Sequence, residues 1–311
     1  MGLLSTQQPS HYFPVIMERN RPLPPEILSI VIEYLRCDVT ALRSALFVNK
    51  TWAVEAIRVL RENPPVTALA AIGEDHRQFY TRQVRELSFD GDEDGAKHST
   101  FRNLKFPLLN DITIGNFRPG NGKKLWLGQY IQSSMKDFSF YGAEPAEDIL
   151  HLLETRCPRL RSIAIDFQLE GLTSNRLMKF FENCTVQKLH IGYEKQVEWA
   201  GTDFLPLKNL KNLRRLNISS IYSIASPTLT DTEFIPNFEN MSQLEELVFQ
   251  VKCALSTASI TSLGEHCPRL TTCDLLGSYD LQCWKHIKRP IFPQLLQLKL
   301  GTATYGEPIH L

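Results

Sequence analysis

The chain has 311 residues, 43% of them hydrophobic and 22% charged, a balance typical of a folded globular protein with one elongated array or more than one domain. Its 34 basic and 34 acidic residues give a formal net charge of zero, so we predict no bulk binding of nucleic acid or anionic membranes. Its apolar runs are only a few residues long. A membrane-spanning helix needs about 20 apolar residues, so we predict no membrane segment.

Targeting and redox signals favour a location in the cytoplasm, the nucleus or both. Residues 1–20 lack the basic stretch followed by an apolar run that marks a secretory signal, and we interpret them as a flexible arm. The seven cysteines are scattered, odd in number and without a C-x-x-C pair, which is typical of a reducing compartment.

The first predicted helix begins near Pro25. Proline suits the first turn of a helix, and Glu26 complements the positive end of the helix dipole. Apolar side chains then cover nearly the whole circumference: Ile27, Leu28, Ile30, Val31, Ile32, Tyr34 and Leu35. A small domain cannot bury such a helix on every side. We therefore predict that part of this surface contacts another protein.

Two further helices complete a predicted module over residues 21–62. The second covers residues 41–47 and can be capped by Asp38 or Thr40, and the third covers residues 51–60. An alternative interpretation is a three-helix bundle whose apolar residues are all core.

This module resembles the F-box motif over its whole length. The matching residues are Leu23, Pro24, Glu26, Ile27, Leu28, Tyr34, Leu35, Leu42, Leu46, Val48, Lys50 and Trp52. Proteins that carry an F-box dock onto the Skp-type adaptor of a Skp–cullin–F-box ubiquitin ligase. Carried over position by position, the resemblance implies that adaptor contacts, or the shape of the contact surface, depend on Leu23, Pro24, Ile27, Leu28, Leu42, Val48 and Trp52.

Residues 63–83 are predicted to form a linker and an N-terminal cap for the rest of the chain. Asn63-Pro64-Pro65 ends the third helix, because proline has no backbone donor. A single helix is then predicted over residues 66–80, covering the edge of the first strand.

One apolar pattern recurs nine times from residue 84 onward. Each copy has apolar residues at i, i+3 and i+5, and the first members are Val84, Leu109, Met135, Leu160, Val186, Leu213, Leu244, Leu270 and Leu295. The steps between them are 25–27 residues, with one of 31. A turn that enters a short strand gives this spacing, because alternate side chains of a strand point to one face.

Helix-compatible segments separate the predicted strands. Residues 144–156 have apolar side chains at helical spacing, and Cys-Pro-Arg-Leu follows at residues 157–160 and again at 267–270. Proline disfavours helix at the residue before it, so each helix should end just ahead of the next strand. One strand and one helix cannot bury their own apolar faces, but stacked repeats can.

The period and pattern resemble the leucine-rich-repeat family, in the longer cysteine-containing form of F-box proteins. The resemblance covers residues 84–311 and implies a solenoid of about nine repeats, with a curved parallel sheet inside and helices outside. The chain departs from the pattern after the strands, where Gln168, Ile221 and Lys252 replace the usual Asn or Cys. The predicted fold class is therefore α/β, a three-helix F-box followed by this solenoid. Unrelated βα units in an ordinary α/β sheet are the alternative.

Catalytic and metal-binding patterns are weak. Residues 90–95 match the start of a calcium loop, but Phe101 replaces the bidentate glutamate, so we interpret the segment as a solvated acidic loop. No cysteine–histidine spacing fits zinc, and the sequence has no glycine-rich phosphate loop, G-x-S-x-G or H-E-x-x-H motif. We expect no metal, no cofactor and no enzymatic activity.

Side chains that flank the second and third anchors of each repeat are predicted to share the concave face. The first four repeats place five carboxylates and no base there: Glu86, Asp90, Asp111, Asp137 and Asp166. Tyr141 shares this face, and Lys188, His190 and Arg215 follow in repeats five and six. We hypothesise that a basic target segment lies along the first repeats, with an acidic or phosphorylated group near Lys188 and Arg215. The alternative is a face that is simply polar and solvated.

The long repeat is predicted to add a rim loop over residues 220–231. Its Ile221, Tyr222 and Ile224 are candidate target contacts, or pack on the neighbouring repeat.

These features predict a substrate-recognition adaptor of a Skp–cullin–F-box ubiquitin ligase. Its partners would be the Skp-type adaptor, the cullin indirectly, and an unidentified target protein. A scaffold that holds the Skp-type adaptor without cullin or ubiquitin transfer is the main alternative, and a hydrolase on a repeat scaffold is disfavoured by the missing motifs.

Overall fold

The computed structural model describes residues 23–92, 94–118, 126–142, 148–167, 179–181, 184–193, 197–220, 224–277, 279–282 and 290–301. Backbone contacts divide the chain into two compact units, residues 1–60 and 61–311. This division lies close to residue 62, where the first module is predicted to end. The predicted N-terminal arm, residues 1–20, lies outside the described residues.

Three helices account for the described part of the first unit: α1 (Pro25–Tyr34), α2 (Val39–Ala45) and α3 (Lys50–Glu62), which ends just beyond the unit. Pro25 takes the first position of α1, as predicted. The side chains of Asp38 and Asn49 accept hydrogen bonds from amides in the first turns of α2 and α3. Each cap satisfies backbone donors that have no partner inside the helix.

A small core holds these helices together. Its buried members are Leu28 and Ile32 of α1, Leu42 and Ala45 of α2, and Ala56 and Val59 of α3. Each helix contributes two residues three or four positions apart, so one stripe of each helix faces inward.

Two short helices, α4 (Val66–Ala71) and α5 (Glu74–Thr81), replace the single helix predicted over residues 66–80. The backbone turns extended at Ile72 and Gly73, with ψ of 137° and 142°. The Arg77 guanidinium donates hydrogen bonds to the carbonyls of Ala70 and Ile72, at 3.1 and 2.8 Å. The prediction was wrong because glycine is a poor helix-interior residue and Arg77 satisfies the carbonyls where α4 ends.

The second unit contains twelve described strands. They are β1 (Glu86–Ser88), β2 (Asp111–Phe117), β3 (Asp137–Gly142), β4 (Ser162–Phe167), β5 (Lys188–Tyr193), β6 (Val197–Glu198), β7 (Arg215–Ser220), β8 (Ile224–Thr230), β9 (Glu246–Phe249), β10 (Val251–Ala254), β11 (Thr272–Leu276) and β12 (Gln297–Gly301). Nine form one parallel sheet in the order β1-β2-β3-β4-β5-β7-β9-β11-β12. Each of these starts one residue before the second apolar anchor of a repeat, which confirms the predicted parallel sheet.

The apolar anchors form the core beneath this sheet. Burial alternates along β3, where Phe138 and Phe140 are buried while Asp137, Ser139 and Tyr141 are partly exposed. The same alternation runs along β2, β9 and β11. One face of the sheet is therefore core, and the opposite face, called the polar face below, carries the intervening side chains.

Segments between the strands vary more than the repeat predicts. The described α-helices here are α6 (Ala96–Phe101), α7 (Ile149–Arg156), α8 (Asp231–Phe238) and α9 (Thr257–His266), and Gly201–Asn209 form a 3-10 helix. Cys157 and Cys267 end α7 and α9, each followed by proline as predicted. Residues 126–136, ahead of β3, form turns instead of a helix.

A second, three-stranded parallel sheet contains β6, β8 and β10, with β8 in the middle. Because β8 covers most of residues 220–231, the predicted rim loop was wrong. Ile224 is fully buried and so is not an accessible target contact. Ile221 and Tyr222 lie outside the described residues.

The acidic loop after β1 turns one carboxylate inward, contrary to the predicted solvated loop. Asp92 is buried and accepts hydrogen bonds from the amides of Lys97 and His98, at 3.0 and 3.1 Å, which caps α6. His98 stacks on Phe89, and its Nδ1 lies 3.2 Å from the Tyr130 hydroxyl. Burial lowers the pKa of His98 to about 4, so the ring is neutral at pH 7. Among the described residues, no three possible metal ligands gather closely enough to hold an ion.

Candidate interaction surfaces

Eight large apolar side chains are exposed among the described residues of the first unit. Its exposed large apolar residues are Leu23, Ile27, Ile30, Tyr34, Phe47, Val48, Val54 and Ile57. Three of them, Ile27, Ile30 and Tyr34, lie within about 60° of one another around α1 and form what we call the α1 stripe. Tyr34 is 85% exposed and Phe47 87%. The unit therefore packs one apolar face of α1 and leaves another open.

The residues predicted to serve the Skp-type adaptor fall into two groups. Leu23, Pro24, Ile27 and Val48 are exposed, and Trp52 is half-buried against the core. Leu28 and Leu42 are each only 1% exposed, so they hold the helices in place and offer no surface to a partner.

The sequence-based site omitted several exposed residues. The omissions are Ile30, Tyr34, Phe47, Val54 and Ile57. Of these, Ile30 and Tyr34 follow Ile27 at helical spacing, so the stripe was visible in the sequence once the buried face of α1 was known. Phe47 lies in the turn after α2, where no periodicity indicates its exposure.

Register across the large sheet places equivalent residues of successive repeats side by side. The row at the strand starts is Glu86, Asp111, Asp137, Ser162, Lys188, Arg215, Glu246, Thr272 and Gln297. Neighbouring strands lie about 4.8 Å apart. Its first three members, called the acidic row below, are therefore adjacent carboxylates on three consecutive strands.

Charge repulsion and burial act together within the acidic row. Burial, then the charges of Asp137 and Glu86, raise the pKa of Asp111 to about 6, while Lys188 acts in the opposite direction. The row therefore holds one carboxyl in surroundings that disfavour its charge.

Replacing Asp111 by asparagine should stabilise the fold near neutral pH. The folded-state pKa of about 6 lies above the ordinary value of 3.8, so the stability contribution of Asp111 is present below pH 3.8 and is lost as pH rises through 6. Two pKa units correspond to at most about 3 kcal/mol, and with solvent screening we expect a gain of about 1 kcal/mol for Asp111→Asn at pH 7.5. Thermal unfolding followed by circular dichroism at pH 7.5 and pH 4 tests this. A stability difference that does not shrink at the lower pH would contradict it.

The basic residues of the polar face are less available than the sequence suggests. The Arg215 guanidinium pairs with the Glu246 carboxylate of the next strand at 3.2 Å. Burial lowers the pKa of His190, although a hydrogen bond with Asn217 acts against it, so His190 is neutral at pH 7. Lys188 is exposed. Of the two residues predicted to bind an acidic or phosphorylated group, Arg215 already has an acidic partner, which leaves Lys188.

Two other carboxylates lie close above glycines of the neighbouring strand. A Cβ at position 115 would lie 2.9 Å from Asp90 Oδ1, and one at position 192 would lie 2.8 Å from Asp166 Cγ. Ser88 Oγ also donates a hydrogen bond to Asp90 Oδ2 at 2.7 Å. Any larger residue at either glycine would displace the carboxylate beside it, so the glycines fix where these charges lie.

All nine residues predicted for target binding occupy the polar face, in the alternating positions that the repeat predicts. They are Glu86, Asp90, Asp111, Asp137, Tyr141, Asp166, Lys188, His190 and Arg215. The rings of Tyr141 and His190, on strands separated by β4, have centroids 6.3 Å apart. The face thus changes from acidic over β1–β4 to mixed charge over β5, β7 and β9.

Comparison with known proteins finds similarity in structure and none in sequence. No family model matches the sequence, and no curated protein matches it. Among solved structures, the internalin InlF of Listeria monocytogenes is 14% identical, with 81% of this chain and 70% of that chain covered and a TM-score of 0.42. InlP of the same bacterium is 15% identical, with 68% and 52% covered and a TM-score of 0.34.

The helices of the described residues include none that is both long enough and apolar enough to cross a bilayer.

Proposed function

We propose that this chain is the substrate-recognition subunit of a Skp–cullin–F-box ubiquitin ligase. The first unit would be an F-box that docks the Skp-type adaptor, and the second a leucine-rich-repeat solenoid that binds the target protein on its polar face. The chain would supply binding surfaces and no catalytic group, and it would act in the cytoplasm, the nucleus or both.

The open apolar surface of the first unit carries this proposal. Fully burying one large apolar side chain contributes about 1.5–3 kcal/mol. The three residues of the α1 stripe and Phe47 are all exposed, and their burial against a partner would stabilise a complex. Their neighbours in the core already hold the three helices together, so these residues are available for a second apolar contact.

The parallel sheet supports the second half of the proposal. Its polar face presents side chains of nine strands, from β1 to β12, at fixed spacing. A surface built from regular strands holds those side chains in place before a partner arrives, and less entropy is then lost on binding.

Affinity purification of the tagged chain from eukaryotic cells tests the proposed function. Recovery of a Skp-type adaptor together with a cullin supports a ligase subunit. Recovery of the adaptor without cullin would favour the alternative, a Skp-bound scaffold. Recovery of neither would overturn both. A chain carrying glutamate at positions 27 and 30 is the control for specific recovery, because it lacks the apolar stripe.

A further inference from the structure

The polar face over β1–β4 carries one sign of charge, and its described side chains are partly or fully exposed. Three rows of side chains cross it, one at the strand starts and the others two and four positions further along. These rows contain Glu86, Asp90, Asp111, Asp137 and Asp166 among neutral residues, and no lysine or arginine. The neutral residues in these rows are small, such as Ser162 and Ala164 on β4, apart from Tyr141 on β3. A partner that approaches the carboxylates therefore meets one large neutral side chain, Tyr141, which lies opposite Asp166.

We propose that the target segment bound on this face is a basic, extended stretch of polypeptide that crosses β1–β4, with its lysine or arginine side chains seated on the acidic row and on Asp90 and Asp166. This inference rests on the proposed function and specifies the chemistry of the target. It concerns the first four strands alone. An acidic group near Lys188 and Arg215 is not part of it, because Arg215 is already paired with Glu246.

Charge complementarity decides between classes of partner. Acidic segments and nucleic acid would be repelled by five carboxylates on one face. A divalent metal ion needs several ligand oxygens at about 2.0–2.6 Å, whereas no three possible metal ligands among the described residues gather closely enough to hold an ion. Ammonium and guanidinium groups on separate side chains can each pair with a different carboxylate of this face.

The spacing of the four strands also fits an extended polypeptide. Four strands at about 4.8 Å span roughly 14 Å, and a polypeptide advances about 3.3 Å per residue, so about five residues cross this region. Side chains of alternate residues point the same way, about 6.6 Å apart. Lysine and arginine side chains are long and flexible enough to bridge the difference between this spacing of about 6.6 Å and the strand spacing of about 4.8 Å.

The surroundings of Asp111 are a second reason to expect a cation. Burial and the adjacent Glu86 and Asp137 disfavour its charge, and Lys188 opposes them only in part, so its pKa stays raised at about 6. A positive group from a partner would remove this penalty. The seating of Asp90 on Gly115 and of Asp166 on Gly192 fixes two further charges at the border of the same surface.

Fluorescence anisotropy with the purified full-length chain tests this inference. One labelled dodecapeptide alternates lysine or arginine with serine, and a matched peptide has glutamate at the charged positions. We expect the basic peptide to bind and the acidic peptide not to bind. Raising the salt from about 50 to about 300 mM should weaken binding several-fold, because the interaction is screened. Binding should tighten from pH 5 to pH 7.5 as Asp111 ionises, with Glu86, Asp137 and Lys188 as the other charged groups around it.

Isosteric variants localise the binding. The double variant Asp111→Asn/Asp137→Asn should bind the basic peptide about 10-fold more weakly. The control Glu239→Gln/Glu265→Gln removes the same charge from two exposed positions, one in the turn after α8 and one in α9, and should bind like the natural chain. Equal affinity of the two double variants, no binding of the basic peptide, or equal binding of both peptides would each overturn the inference.

Adaptor binding, measured on the same proteins, separates this inference from the proposed function. If the Skp-type adaptor binds and the basic peptide does not, the inference fails and the ligase proposal remains. If the peptide binds and the adaptor does not, the ligase proposal fails and the basic-segment surface remains.

Discussion

Replacing Ile27 and Ile30 together by glutamate should abolish binding of the Skp-type adaptor and leave the chain folded. These side chains are 47% and 54% exposed and belong to no described core cluster, so the first unit loses little by their removal. In a complex, each new carboxylate would be buried without a partner, at several kcal/mol each. We expect affinity to fall by at least about 1000-fold, since each 1.4 kcal/mol is a factor of ten.

Isothermal titration of the purified chain with purified adaptor measures this loss, and circular dichroism checks the fold. The control adds two glutamates at Thr67 and Ala68, which are exposed on α4 in the second unit. Natural affinity in the Ile27→Glu/Ile30→Glu variant would show that the α1 stripe does not dock the adaptor. Loss of helical signal in that variant would show that these residues stabilise the unit itself.

Replacing Phe140 by alanine should lower the free energy of unfolding of the second unit by about 3–5 kcal/mol. The ring is fully buried in the middle of β3, and its removal leaves a cavity between neighbouring repeats that the strands cannot close. For a unit of this size the melting temperature should fall by about 10 °C. Thermal unfolding followed by circular dichroism measures it.

Tyr141 is the matched control for Phe140, because it is the next residue of the same strand and points to the polar face. Tyr141→Ala should change the unfolding free energy by no more than about 1 kcal/mol. Equal losses from the two substitutions would contradict the alternation of core and polar faces along β3.

The large sheet was predictable because its signal is local. Residues such as Leu87, Ile112 and Phe138 recur at a spacing that fixes both the strand and the face that is buried, and each indeed follows the first residue of a strand. The second sheet was not predictable in this way. Strand β8 pairs with β6 and β10, which come from other repeats, so its own sequence shows no sign of its partners.

The two candidate surfaces were predictable to different degrees. The acidic row follows directly from the repeat, because equivalent positions of successive strands become neighbours. The Arg215–Glu246 ion pair and the close contact of Asp166 with Gly192 depend on residues from adjacent repeats, which are 31 and 26 residues apart in the chain. On α1, composition indicated excess apolar surface, but only the packing separated buried Leu28 from exposed Ile27.

A chain that joins two partners should carry both at once, and sedimentation velocity measures this directly. The purified chain is mixed with the Skp-type adaptor and the fluorescent basic peptide, and the sedimentation of the fluorescence is followed. We predict that the peptide sediments with the adaptor only when the chain is present, in a complex with one copy of each component. Sedimentation of the chain and the adaptor as separate species at micromolar concentration would contradict the account.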